Sequence, residues 1–177
     1  YIVEPFRNQC INALSGQFKI NTPQYYNSLF SVFNSLEANS EIKAVSVLTE
    51  GFWGYDPFQM QYLRRNIEVI DKGVKVKRLF VINGKIHSGL WKVIQHQLDN
   101  GIDVRTIESK VFSSFTHLED MVLFVLNGDM RCYISNQDLN RSNSIKSASL
   151  NLNLNYCQQI NTEFDSLWEI ARFPKPS

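Results

Sequence analysis

Ile42-Lys43-Ala44-Val45-Ser46-Val47-Leu48 and Val74-Lys75-Val76-Lys77-Arg78-Leu79-Phe80-Val81-Ile82 are short, apolar and rich in β-branched residues. Runs of that length and composition predict mostly buried strands. Between them Asp56-Pro57 opens a helix to about Lys72, with Gly73 as its C-terminal cap. After the second run, Asn83-Gly84 marks a turn. Ser88 then begins a helix through Leu90, Trp91, Ile94 and Leu98 that stops at Asn100-Gly101. Ile102 to Ile107 reads as a third strand. Strands alternating with helices over short connections imply parallel βαβ units, a central sheet with helices on both faces.

Outward from this unit, the first 40 residues read as helical. Glu4-Pro5 looks like a helix start, and Phe6, Cys10, Ala13, Leu14 and Phe18 recur near helical spacing. Thr22-Pro23 is a second start, with a hydroxyl N-cap and Pro at the first helical position. Tyr25, Tyr26, Leu29, Phe30, Phe33 and Leu36 follow as a broad apolar stripe, suited to core packing or to a dimer face. On the other side, Met121 to Leu126 and Arg131 to Ile134 flank the hairpin dipeptide Asn127-Gly128. Residues 136–149, dense in Asn and Ser, read as a surface loop. Ser149 to Asn155 alternates strictly and predicts an amphipathic strand with its leucines inward. A closing helix carries Ile160, Phe164, Leu167, Trp168 and Ala171 and ends before Pro174. The expectation is an α/β three-layer sandwich with a mixed, mostly parallel central sheet. A helical N-terminal arm over 1–40 would pack on a domain over 41–177.

Composition removes several functional classes. Lys+Arg 18 against Asp+Glu 17 leaves a net charge of +1, so no global field draws the chain to nucleic acid or an anionic membrane. No apolar run approaches the roughly 18 residues that span a bilayer, and no signal-peptide pattern opens the chain. Cys10, Cys132 and Cys157 are scattered and odd in number, which suits a reducing cytoplasm and argues against a disulfide framework or a zinc knuckle. His87 and His96 lack a third ligand at metal spacing. Gly51-Phe52-Trp53-Gly54 lacks the length and the Lys of a phosphate-binding loop. No cofactor, metal or membrane association is expected.

Local wording adds a resemblance. The helix ending Gln97-Leu98-Asp99-Asn100-Gly101, the step Ile102-Asp103-Val104-Arg105, then His117, the hairpin, Ile134-Ser135-Asn136-Gln137, Arg141-Ser142 and Phe164-Asp165-Ser166-Leu167-Trp168 follow one another in a familiar order. In that order, residues 42–172 resemble one half of a phospholipase D-like domain. Active members of that family carry H-x-K with an Asp beyond it, in which a neutral His attacks phosphorus while Lys and Asn stabilise the phosphoryl oxygens. Here His117 matches, but Glu119 stands at the Lys and Phe124 at the Asp. Ile134 and Gln137 depart from the G-S-x-N segment, unless Asn136 takes the Asn role. A carboxylate beside a phosphodiester replaces attraction by repulsion, several kcal/mol at about 4 Å and a protein-like dielectric.

The resemblance therefore implies a degenerate domain, a noncatalytic sensory or interaction module of a larger regulatory protein. The start without Met fits an excised domain. The candidate ligand-binding residues are Glu50, Trp53, Tyr55 and Asp56, at the carboxyl edge of the first strand of the 42–107 unit, together with His117, Glu119, Ser135 and Asn136. The partners would be an unidentified small ligand, a regulatory protein or a second copy of the chain. A second reading is a dimeric, metal-independent phosphodiesterase or nuclease with His117 as nucleophile and Lys85 or Arg131 as the replacement cation. A third is a nucleic-acid-binding accessory domain that uses Arg64, Arg65, Lys75 and Lys77 against the phosphate backbone. Edge protection and helix–sheet ion pairs are the simpler account of those charges.

Overall fold

The computed structural model describes residues 15–47, 57–115, 119–137 and 145–175. In chain order the elements are β1 (Gln17–Ile20), α1 (Thr22–Asn34), β2 (Glu41–Val47), α2 (Pro57–Ile70), β3 (Lys75–Ile82), α3 (Ser88–Asp99), β4 (Asp103–Glu108), α4 (Ser109–Phe112), β5 (Met121–Leu126), β6 (Asp129–Gln137), β7 (Ile145–Asn151) and α5 (Leu154–Ile170). All seven strands join one sheet in the order β1-β7-β6-β5-β2-β3-β4. β2, β3 and β4 pair in parallel through α2 and α3, as the alternating pattern requires. The other pairings are antiparallel, so the sheet is mixed, and parallel pairing is confined to the first half rather than dominant. For β5 and β6 the reason is local: the Asn127-Gly128 turn can only return the chain antiparallel.

Strand alternation divides the core in two. Ile42, Ala44, Val76, Phe80, Val104, Val122, Phe124 and Tyr133 face α1, α2 and α3. Val45, Leu79, Val81, Ile107, Met121, Leu123 and Cys132 face α4 and α5. Gly73 and Gly101, at φ +85° and +82°, close α2 and α3. There Val74 N–H reaches back to Val69 O and Ile102 N–H to Gln97 O, a left-handed cap that glycine adopts without strain.

Several expectations need correction. Phe18 lies in β1, an edge strand paired antiparallel with β7, so the N-terminal segment is not helical throughout. α1 matches, but its cap is Asn21, whose side chain accepts from Gln24 N–H while Gln24 Oε1 accepts from Asn21 N–H. Its aromatic stripe packs inside: Tyr25, Tyr26, Leu29, Phe33 and Leu36 are all buried against the sheet, so they are not the surface on which a second copy would pair.

The 136–149 stretch is not a single loop either, because β6 runs to Gln137 and β7 starts at Ile145. Finally, the Leu-Asn alternation ends early. β7 stops at Asn151, Leu152 and Leu154 are exposed, and α5 begins because Asn153 Oδ1 accepts from Tyr156 N–H.

Candidate functional site

Arg78 is the decisive residue. It stands between Val76 and Phe80 on the strand face that α1 and α2 cover, and it is only 1% exposed. A guanidinium there needs acceptors, since an unsolvated charge costs several kcal/mol. Its Nη2 donates to the Tyr62 hydroxyl at 3.1 Å and its Nη1 to Ser46 Oγ at 3.4 Å. The guanidinium carbon also lies 5.1 Å from the Tyr62 ring centroid. β2 delivers Ser46 near its carboxyl end, and α2 delivers Tyr62 and the buried Gln59.

Around this group a small cleft is completed by Tyr25, Tyr26 and Leu29 of α1 and by Asp120, Val122 and Ser135. The Ser135 hydroxyl donates to Asp120 Oδ1 at 3.4 Å, and Ser135 N–H to the Asp120 carbonyl at 2.9 Å. Burial, and secondarily the nearby Asp120 charge, hold the Tyr25 phenol well above its ordinary range, so it stays a donor at neutral pH. The cleft leaves about 40 Å³ for the centres of water-sized molecules. That is room for a few waters, at roughly 10–15 Å³ each. It is a largely apolar cavity beneath α1 and α2, with a few polar groups and one carboxylate among its described lining residues.

The expected site residues do not assemble as one group. Glu50, Trp53, Tyr55, Asp56 and His117 lie outside the described residues. Ser135 lines the Arg78 cleft. Glu119 is exposed, and its charge helps raise the phenol of Tyr156 on α5, on the opposite side of the sheet. Adjacent residues of an extended chain point to opposite faces, so Asp120 enters the cleft and Glu119 does not. Asn136 is exposed and donates to Ser147 Oγ at 3.4 Å. Phe124 is wholly buried, edge-on to Phe33 and Tyr133 at 5.4 and 5.8 Å between centroids.

Neither proposed replacement cation reaches Ser135. Arg131 sits four residues back along β6, paired with Asp129 at 3.1 Å, and Lys85 lines a separate crevice beyond β3.

The basic stretch is likewise divided. Arg64 and Arg65 pair with Glu68 on α2, over one face of the sheet. Lys77 pairs with Glu41 at 2.8 Å and stands 5.7 Å from the Trp168 ring of α5, over the other. Lys75 is exposed on that second side. Among the described residues no group of His, Cys, Asp or Glu could hold a metal, and no helix is long and apolar enough to cross a membrane.

Sequence reasoning put Arg78 in the basic stretch, on the face of Val74 and Val76, but counted neither it nor Tyr62 and Gln59 among the site residues. The available signal was a charged residue on the apolar face of a central strand, a place where Arg is rare unless paired.

No family model and no curated protein matches this sequence. Solved structures do match. Nuc, a phospholipase D family member from Salmonella typhimurium, aligns over 90% of this chain and 98% of its own at TM-score 0.58 and 12% identity. The polyphosphate kinase of Porphyromonas gingivalis aligns over 91% of this chain at TM-score 0.60 and 12% identity, but this chain spans only 27% of that enzyme. NucT from Helicobacter pylori aligns over 88% of this chain and 96% of its own at TM-score 0.54 and 10% identity. The chain therefore has a phospholipase D-like fold, and at these identities the likeness is one of fold.

Proposed function

We propose that this chain is a noncatalytic phospholipase D-like domain, a sensory or interaction module of a larger regulatory protein. One observation carries the reading: Phe124, where the resemblance calls for a carboxylate, is fully buried between Phe33 and Tyr133. An ionised group there would be desolvated without a partner, so the apolar packing and the catalytic carboxylate exclude each other. Glu119 supports the same reading, because its negative charge repels a phosphodiester approaching the His117 end of β5. The Arg78 cleft, at the carboxyl end of β2 from which the 49–56 segment continues, is the natural seat of a regulatory ligand small enough to replace a few waters.

The test is hydrolysis of bis(p-nitrophenyl) phosphate and of single-stranded DNA, with and without EDTA, by the wild-type chain and His117→Ala. Equal, background-level rates are expected for both proteins. Turnover abolished by His117→Ala and indifferent to EDTA would overturn the proposal in favour of the phosphodiesterase reading.

A further inference from the structure

A second cavity lies away from both Arg78 and Glu119. At the carboxyl ends of β3 and β4, the turn after Ile82, helix α4 and the segment after α5 enclose a crevice of about 740 Å³. That is within the roughly 300–1,000 Å³ of small-molecule sites, and the carboxyl ends of parallel strands are where such sheets bind ligands.

Two independent features describe its occupant. The first is apolar: Val111, Ile170 and Phe173 are 40%, 55% and 66% exposed, and all three line this one crevice together with buried Ile86 and Ile107. Large side chains left in water and converging on a concavity mark a binding surface. The second is charge. Lys85, Arg172 and Lys175 line the rim, and among the described residues none of them forms an ion pair. The one lining carboxylate, Glu108, accepts from Gly84 N–H at 3.4 Å. A chain of net charge +1 thus concentrates a local positive excess beside exposed hydrocarbon.

The wall is fixed by backbone. Thr106 and Arg172 exchange two main-chain hydrogen bonds at 2.8 and 2.9 Å, and Phe173 packs on the Arg105 guanidinium at 5.2 Å. The Arg172 and Lys175 side chains are therefore not what holds the crevice open.

We propose that this crevice binds an amphipathic organic anion, with its carboxylate or phosphate head at Lys85, Arg172 and Lys175 and its apolar body on Val111, Ile170 and Phe173. Such a ligand neutralises the rim and covers the exposed hydrocarbon at once, which neither an inorganic anion nor a neutral lipid does.

Isothermal titration of the whole chain with octanoate, octyl phosphate, octylammonium and octanol tests it. Saturable binding of at least one of the two anions is expected, with the stronger one identifying the head group, and octylammonium binding at least about tenfold more weakly. Lys85→Glu combined with Lys175→Glu, both exposed and remote from the core, should weaken the anion about tenfold with the thermal midpoint unchanged. Ile170→Asn should weaken every octyl compound alike. Equal affinity for octylammonium and octanoate, unchanged affinity in the Lys85/Lys175 double variant, or no saturable binding of either anion overturns the proposal. The readout is binding at a crevice apart from Ser135 and Glu119, so it stands or falls separately from the hydrolysis assay.

Discussion

Arg78 Nη2 donates to the Tyr62 hydroxyl at 3.1 Å, tying the middle of the central parallel strand to the helix that crosses above it. The bond joins α2 to β3, so it helps fix how the helix sits on the strand as well as satisfying a buried charge. Hydrogen bonds to charged groups contribute more than neutral ones, and removing an acceptor leaves the buried donor to carry the desolvation cost.

Tyr62→Phe is therefore expected to destabilise the chain by about 1–3 kcal/mol. Ser46→Ala, which removes the longer 3.4 Å contact, should cost less than Tyr62→Phe. Urea midpoints at constant m-value measure both. A neutral Tyr62→Phe would show that the guanidinium is satisfied without the phenol.

On the proposed noncatalytic reading, positions 119 and 124 tolerate the residues of the family pattern very differently. Glu119→Lys lies on an exposed site and should change stability by no more than about 0.5 kcal/mol. Phe124→Asp buries an unpaired carboxylate under α1 and should cost at least about 4 kcal/mol, enough to unfold a marginal domain. Phe124→Leu, by contrast, should stay folded at a cost of about 1–2 kcal/mol. Circular dichroism against urea separates the three. A folded, soluble Phe124→Asp chain would remove the main support for a noncatalytic role.

Asn153 and Leu154 are neighbours with opposite expected sensitivities. Asn153→Ala removes the side chain that caps α5 and should cost about 1 kcal/mol. Leu154→Ala removes a side chain that is 46% exposed and should cost well under that. If Leu154→Ala proved the more damaging, the alternating strand reading of 149–155 would be right after all.

Alkaline pH should weaken the fold. Burial pushes the Cys157 thiol up to about 11 and, with help from Cys132, Glu119 and other charges, the Tyr156 phenol up to about 12, and it raises Cys132 and Tyr25 as well. Each group binds its proton more tightly when folded, so its contribution is complete below the unfolded value and is lost as pH rises towards the folded one. With unfolded values near about 8.5 for thiols and about 10 for phenols, the urea midpoint should be flat to about pH 8 and fall steadily above about pH 9. Replacing Tyr25 by Phe should reduce the part of that fall above about pH 10. A midpoint unchanged at about pH 10.5 would contradict these burial effects.

The βαβ unit was legible in advance because its signals are local. Gly73 and Gly101 end helices by their own conformational freedom, Asn127-Gly128 turns a hairpin, and the β-branched runs of β2 and β3 have no other stable use. The order of the resemblance motifs was also readable, and with it the fold. Phe18 and the leucines at 152 and 154 misled for one physical reason. A short periodic stretch fits either a strand or a helix, and whether it does either is decided by the partner, β7 in the first case and the Asn153 cap in the second.

What this sequence determined by itself was the βαβ unit of residues 42–107, the Asn127-Gly128 hairpin, the closing helix and the near-neutral charge. Only the tertiary structure decided that Glu119 and Ser135 serve different faces of the sheet, that Arg78 is the cation of the Ser135 cleft, and that Lys85 shares a crevice with Arg172 and Lys175. Alternation along one strand can be read from a sequence, but which strand lies beside which depends on contacts between residues far apart in the chain, and no local pattern encodes those.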